Sequence, residues 1–402
     1  MKKRIASLGM AAVMLGASVP VLPMMTTTVS AEETERTFEQ LTYKIIDGES
    51  VTITGCDKSA EEIKIPAEIE GMPVTTIDRE AFALCRTLRS VTIPASVNNI
   101  ASMTFATCDN LTAINVDPSN EKYKSLNGVL FDKGQTQLTV FPCKNEQHDY
   151  TIPNTVSSIG DGAFAGSTSL TSVTIPDSVT QIGHEAFAGC ENLTDITIPD
   201  GVTSLDSTFW LCSSLKSVTI PDSITDIGGM AFAGCTSLSS VTIPKNVKSI
   251  GDCAFSNCSV LTAVTIPDSV TSIGFSAFEY CVSLASVTIP DSVKSIGIGA
   301  FDNCENLTIY GNAVSYAETY AKENNIPFAL IGSKQQSVPG DVNGDGARNL
   351  KDVTLLRRYI AGGWENVTID TAAADVNGDG NVNLKDVTIL RRSIAGGWDV
   401  TL

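Results

Sequence analysis

Two short segments near the C-terminus carry oxygen donors at spacings that suit a hard divalent cation. The first runs Asp341-Val-Asn343-Gly-Asp345-Gly346-Ala347-Arg-Asn349-Leu-Lys-Asp352. The second, 34 residues on, runs Asp375-Val-Asn377-Gly-Asp379-Gly380-Asn381-Val-Asn383-Leu-Lys-Asp386. Calcium takes six to eight oxygens from a compact, turn-rich loop. In the first copy Asp341, Asn343, Asp345, Asn349 and Asp352 fill loop positions 1, 3, 5, 9 and 12. Asp375, Asn377, Asp379, Asn383 and Asp386 fill them in the second. Position 7, Ala347 or Asn381, would add its backbone carbonyl, and Gly346 and Gly380 permit the bend at position 6. A loop rich in Asp, Asn and Gly can exist without metal. Two copies with every ligand position filled point to two bound Ca2+ ions.

No comparable set of groups for catalysis is found. His148 and His184 are the two histidines, and neither has a nucleophile or an orienting acid near it in sequence. Asp177, Asp222, Asp268 and Asp291 each follow a proline, at regular turn positions. A glycosidase needs two facing carboxylates in one cleft, whereas this ladder reads as a solvated edge. The catalytic residue set is empty, and the chain is read as not an enzyme.

The elements that carry these groups fall into two kinds. Each calcium loop leads into a helical pattern, Val353 to Ile360 and Val387 to Ile394, and both end in Ala-Gly-Gly-Trp. Upstream, phenylalanine recurs at Phe82, Phe105, Phe164, Phe187, Phe209, Phe232, Phe255, Phe278 and Phe301, mostly 23 residues apart. Leucine follows each by six residues, and then a Val-Thr-Ile-Pro strand pattern. Leu238, Val241, Ile243 and Pro244 are one example; Val270 and Ile273 show the second apolar pair. A unit this short cannot bury its own apolar side, so stacked copies must share a core. Val and Ile alternating with Thr is a half-buried strand, ended by proline and often followed by Gly183, Gly228, Gly251, Gly274 or Gly297 at a turn.

These repeats resemble the BspA-like leucine-rich repeats of bacterial surface proteins. The resemblance covers Ile63 to Ile309 and implies a β-rich solenoid. Phe38 to Gly55 reads as a strand pair capping the N-terminal end, and Ala313 to Asn325 as a short amphipathic helix capping the other. Between Asp117 and Tyr150 one coil is replaced by Gly128-Val129-Leu130-Phe131 and Leu138-Thr139-Val140-Phe141, with Lys133-Gly134 as the hairpin turn.

Eight cysteines fall three residues after the repeat phenylalanine: Cys85, Cys108, Cys190, Cys212, Cys235, Cys258, Cys281 and Cys304, with Ser167 at the missing rung. Equivalent rungs keep parallel Cα–Cβ bonds about 4.8 Å apart. A disulfide needs converging Cβ atoms about 3.8 Å apart, so these read as small buried thiols. Cys56, Cys143 and Cys253 lie off the ladder, where one bridge stays open. Outward strand positions are Ser and Thr, such as Thr174, Thr197, Thr219, Thr242, Thr265 and Thr288. Trp210 and Tyr280 are the aromatic interruptions that could contact a ligand, whose identity is not readable.

The paired loops, with Asp rather than Glu at position 12 and no helix before the first loop, resemble a type I dockerin over Gly340 to Leu402. That resemblance implies docking into a cohesin domain of a scaffoldin, in the cellulosome complexes that degrade plant polysaccharide. Partner choice would rest on loop positions 10 and 11 and an exposed helical pair: Leu350, Lys351, Arg357 and Arg358, mirrored by Leu384, Lys385, Arg391 and Arg392. Identical chemistry in both halves suggests two docking orientations related by a half-turn.

The domain plan is then a signal peptide over 1–31, an N-terminal cap over 32–62, a solenoid with its C-terminal cap over 63–331, a linker over 332–339 and the dockerin over 340–402. The fold class is α+β, a β-rich solenoid followed by a small all-α tail. Lys2, Lys3 and Arg4 before the apolar run Ile5 to Leu22, with Val29-Ser30-Ala31 at the cleavage site, indicate export. Pro20 and Pro23 interrupt that run, which argues against a membrane anchor. With 27 basic and 45 acidic residues the net charge is −18, which argues against nucleic acid and anionic membrane surfaces. The expectation is a secreted, non-catalytic protein of a polysaccharide-degrading complex, presenting its solenoid to protein, cell surface or substrate. A surface adhesin held by its dockerin is one alternative, and a hydrolase subunit another.

Overall fold

The computed structural model describes residues 34–331, 340–343, 348–361, 369 and 371–394. The expected signal peptide and linker lie outside them. Among the described residues no helix is long and apolar enough to cross a membrane.

The middle of the chain is a ladder of short parallel strands. One set of rungs pairs Asp149–Thr151, Ser172–Thr174, Asp195–Thr197 and Ser217–Thr219 in order, and another pairs Ala263–Thr265, Ser286–Thr288 and Thr308–Gly311. Register follows the repeat: Val264 faces Val287, which faces Ile309. The second apolar pair forms its own ladder, as Ile227, Ile250, Ile273 and Ile296 align through successive coils. Alternation explains both, because most inward Val and Ile side chains are buried while the threonine beside them is mostly exposed.

Both caps form as the residues suggest. Leu41–Ile46 and Ser50–Cys56 pair antiparallel at the N-terminal end. At the other end helix α1, Tyr316–Glu323, buries Ala317, Tyr320 and Ala321, and its N-cap Ser315 accepts from the Glu318 N–H. A closing strand, Phe328–Leu330, pairs parallel with Thr308–Gly311. The inserted hairpin joins Val129–Asp132 to Gln137–Val140, with an additional strand at Tyr123–Leu126.

The phenylalanines stack face to face down the axis, with ring centroids 4.8 Å apart for Phe164 and Phe187 and 5.5 Å for Phe187 and Phe209. Phe141, from the insertion, takes a rung of its own and stacks on Phe164 at 5.1 Å. By sequence it reads as part of the hairpin, although its 23-residue spacing from Phe164 is the signal that finds it. The insertion also divides the interior in two. Val129 and Phe131 belong to the C-terminal core, whereas Leu130 between them belongs to the N-terminal one.

The recurrent glycines are required for a different reason than the one the sequence suggested. Gly183, Gly228, Gly251, Gly274 and Gly297 are not among the positive-φ residues. A Cβ at Gly228 would lie 2.6 Å from the Leu205 carbonyl oxygen, and one at Gly251 would lie 2.6 Å from the Gly228 carbonyl carbon. Close approach of successive backbones selects glycine here, not turn geometry.

Seven ladder cysteines are free, and each thiol donates to the phenylalanine carbonyl of the preceding coil, from Cys108 to Phe82 at 3.0 Å through Cys304 to Phe278 at 3.2 Å. Cys85 departs from the expected ladder of free thiols, because it is disulfide-bonded to Cys56. Cys56 ends an antiparallel cap strand, so its Cβ is not bound by the parallelism of the rungs. Cys143 and Cys253 are free. The bridge closes a 29-residue separation, a constraint worth about 3–4 kcal/mol.

Burial pushes the ladder thiols up from the ordinary 9.0, to about 12 at Cys212 and Cys258 and about 11 at Cys304. The thiolate is therefore suppressed in the folded state. With the folded value raised, the stabilisation is complete below pH 9 and lost as the pH rises toward 12. In thiol counting with a disulfide reagent at pH 8, the half-buried Cys253 and Cys304 should react first. All nine free thiols should react only in concentrated guanidinium. Rapid native labelling of Cys212 or Cys258 would contradict the ladder.

Candidate functional site

The tail is built so that two loops share one small core. Helices α2, Leu350–Ile360, and α4, Leu384–Ile394, pack on each other. Between them Val342, Val353, Leu356, Ala374, Val376, Val387 and Leu390 form a buried cluster, with a short helix α3 at Thr371–Ala374. Position 2 of each loop, Val342 or Val376, and the residue after position 12, Val353 or Val387, are core residues. Each loop is thus anchored at both ends by apolar burial.

Position 12 closes each loop. Asp352 is fully buried, and its carboxylate accepts from the Asn343 N–H at 3.1 Å and the Asn349 N–H at 2.7 Å. Asp386 is equally buried and accepts from the Asn377 N–H at 3.3 Å and the Asn383 N–H at 2.8 Å. One carboxylate therefore fixes positions 3 and 9 in both halves. Asn349 also caps α2, accepting from the Lys351 N–H at 2.9 Å, as Asn383 does from the Lys385 N–H at 2.9 Å. Among the described residues no Lys, Arg or His pairs with Asp352 or Asp386. A buried charge without a counter-charge is costly, and a divalent ion would offset it.

The rest of the second loop is polar and self-bonded. Asp375 accepts from the N–H groups of Asp379 at 3.1 Å and Gly380 at 2.7 Å. Asn377 accepts from the Asp379 N–H at 2.8 Å, and Asp379 from the Asn381 N–H at 3.0 Å. The Asn381 carbonyl accepts from the Asn383 side-chain amide at 3.0 Å. With the carboxylates turned onto loop amides, no three acidic, His or Cys side chains converge among the described residues. Gly380 holds φ +83, the left-handed bend expected at position 6. The donors are all hard oxygens with no thiol or imidazole, the set calcium prefers. In the first loop Asp345, Gly346 and Ala347 lie outside the described residues.

The eight residues expected to meet a partner are all on the surface. Leu350 and Leu384 open their helices 67% and 66% exposed, an unusual setting for leucine. Leu350, Arg357 and Arg358 share one helix face at i, i+7 and i+8, as do Leu384, Arg391 and Arg392. Thr354 and Thr388 lie on the same faces at i+4, exposed and donating to the Leu350 and Leu384 carbonyls at 2.9 and 3.0 Å. Sequence reasoning passed over them, although their spacing from the leucines is the signal that finds them.

The repeat pattern and the loop pairs are matched by two family models. The BspA type leucine-rich repeat region matches over residues 54–139, 137–260 and 230–321. The chain is a BspA-type leucine-rich repeat protein. Its tail, residues 339–395, matches the dockerin type I domain, and type I dockerins bind calcium and cohesins. Both families are binding modules. A leucine-rich repeat protein from Eubacterium ventriosum has a similar solved structure, at 22% identity and a TM-score of 0.52, covering 66% of this chain and 93% of that one. Another, from Bacteroides ovatus, is 21% identical with a TM-score of 0.44, covering 74% of this chain and 99% of that one. No curated protein matches the chain.

Within the leucine-rich repeats the other candidates stay apart. His148 Nδ1 donates to the Ser169 carbonyl at 2.8 Å, and His184 lies 3.7 Å from Glu185 and 3.8 Å from Asp206, all at the surface. Asp177, Asp222, Asp268 and Asp291 are exposed along one edge. Trp210 and Tyr280 are 36% and 50% exposed. Tyr280 holds φ 59 at the left-handed position that Gly166, Gly189 and Gly234 fill in other coils.

Proposed function

We propose that this protein is a secreted, non-catalytic subunit that docks through its calcium-loaded dockerin into a scaffoldin cohesin. Its leucine-rich repeats then present a binding surface within a polysaccharide-degrading complex. The observation that carries the reading is the pair of equivalent exposed faces, each an outward leucine followed by Lys and a twin arginine on one helix side. Such a face is costly to leave in water and is suited to a complementary partner.

One Ca2+ would be held by Asp341, Asn343, Asp345, Asn349, Asp352 and the Ala347 carbonyl. A second would be held by Asp375, Asn377, Asp379, Asn383, Asp386 and the Asn381 carbonyl. Bound calcium supplies positive charge that lets the carboxylates converge. Asp352 and Asp386 then hold the loop amides and the start of each helix, which orients Leu350 with Lys351 and Leu384 with Lys385 toward the partner.

Because the two halves present the same groups, either can face the cohesin. Charge reversal of Arg357 and Arg358, or of Arg391 and Arg392, should leave binding within about threefold. Reversing all four should weaken it by at least 100-fold in calorimetric titration against a cohesin. Loss from one pair alone would refute the two-orientation reading.

A further inference from the structure

At the inserted hairpin the stacking of successive coils is interrupted, and the groups exposed there match a peptide. In neighbouring coils the repeat phenylalanine N–H donates to the next coil: Phe82 to the Thr104 carbonyl at 3.0 Å, Phe164 to Ala186 at 2.7 Å. Residues two positions to either side do the same, as Gly162 donates to His184 at 2.9 Å and Leu84 to Ala106 at 3.0 Å. In the coil 101–107 the corresponding N–H groups of Met103, Phe105 and Thr107 have no acceptor among the described residues. The next coil is the inserted hairpin, and the aromatic stack also breaks here, since Phe105 stacks on Phe82 but not on Phe141.

A cavity of 710 Å³ runs from this junction along the following coils to Ser204, with Met103, Phe105, Phe141 and Gly162 in its lining. That is the size of a ligand site. Its lining includes Thr139, whose hydroxyl is buried without a hydrogen-bond partner. Met103 crosses the gap, its sulfur so close to Gly162 that a Cβ there would collide with it.

We propose that this break binds a peptide segment whose main-chain carbonyls accept from the N–H groups of Met103, Phe105 and Thr107. Donors at every second residue, with Met103 and Thr107 at φ 59 and 54, repeat the arrangement by which the coils from Phe164 onward bond the backbone of their neighbour. In the coils from Phe164 to Phe278 these same groups are satisfied by peptide carbonyls. The occupant thus supplies the rung that the hairpin omits. This site is independent of the dockerin, so either reading can fail alone.

The test uses the full chain in calcium and a labelled synthetic peptide matching residues 160–167, a coil segment without cysteine. By hydrogen exchange, segment 101–107 should exchange at least tenfold faster than segment 251–257 in the free protein, and become protected when peptide is added. Fluorescence anisotropy should show saturable binding, weakened at least tenfold by Ala106→Trp on one wall and by Ala165→Trp on the other, with melting temperatures unchanged. Equal protection of both segments in the free protein would overturn the proposal. So would absent peptide binding, or binding of a cello-oligosaccharide in its place.

Discussion

Removing calcium should unfold the dockerin and cost at least a thousandfold in cohesin affinity, while the strand signal of the leucine-rich repeats persists. The tail has only a small core, centred on Val342, Leu356, Val376 and Leu390, and a domain of about 60 residues is marginal by burial alone. Two fully buried carboxylates, Asp352 and Asp386, weigh further against the folded state unless neutralised. An ion at 1,000 times its dissociation constant contributes about 4.1 kcal/mol, enough to decide whether such a tail folds. Circular dichroism and cohesin pull-down with and without a chelator measure both effects. Asp386→Ala should mimic chelation at one loop, and undiminished binding in chelator would count against the whole reading.

The second large effect is expected inside the solenoid. Phe232→Ala removes a fully buried ring stacked at 5.4 Å on Phe209 and at 5.3 Å on Phe255. Loss of a buried phenylalanine costs about 3–5 kcal/mol, and each aromatic contact adds about 0.5–1.5 kcal/mol. Phe301→Ala, at the end of the stack, loses one face-to-face partner at 5.3 Å and an edge contact with Tyr320 at 6.0 Å, and should cost less. Thr242→Ala, at an exposed position outside the strands, should stay within about 0.5 kcal/mol. Urea midpoints of the three variants give the ranking, and equal losses at Phe232 and Thr242 would contradict a stacked core.

What could be read from the residues was whatever a fixed spacing encodes. The alternation of Val, Thr and Ile placed most rungs in register, because it is a local pattern. The exposed faces of α2 and α4 follow from helical geometry once their leucines and arginines are aligned. What stayed hidden depends on the third dimension. Cys56 meets Cys85 because a cap strand, outside the repeat, folds across the first coil. The glycines proved to be contact positions between coils, a distance that no one-dimensional period reports.

The strand Val129–Asp132 has a structural consequence beyond its place in the hairpin. Its Leu130 side chain belongs to one interior and its neighbours Val129 and Phe131 to the other, so a single strand serves as the party wall between two compartments. Cooperativity in a stacked array passes from neighbour to neighbour, and at this wall the chain of contacts narrows to one layer. An unravelling front that starts at the N-terminal cap would stall there, leaving the coils from Phe141 onward folded behind it.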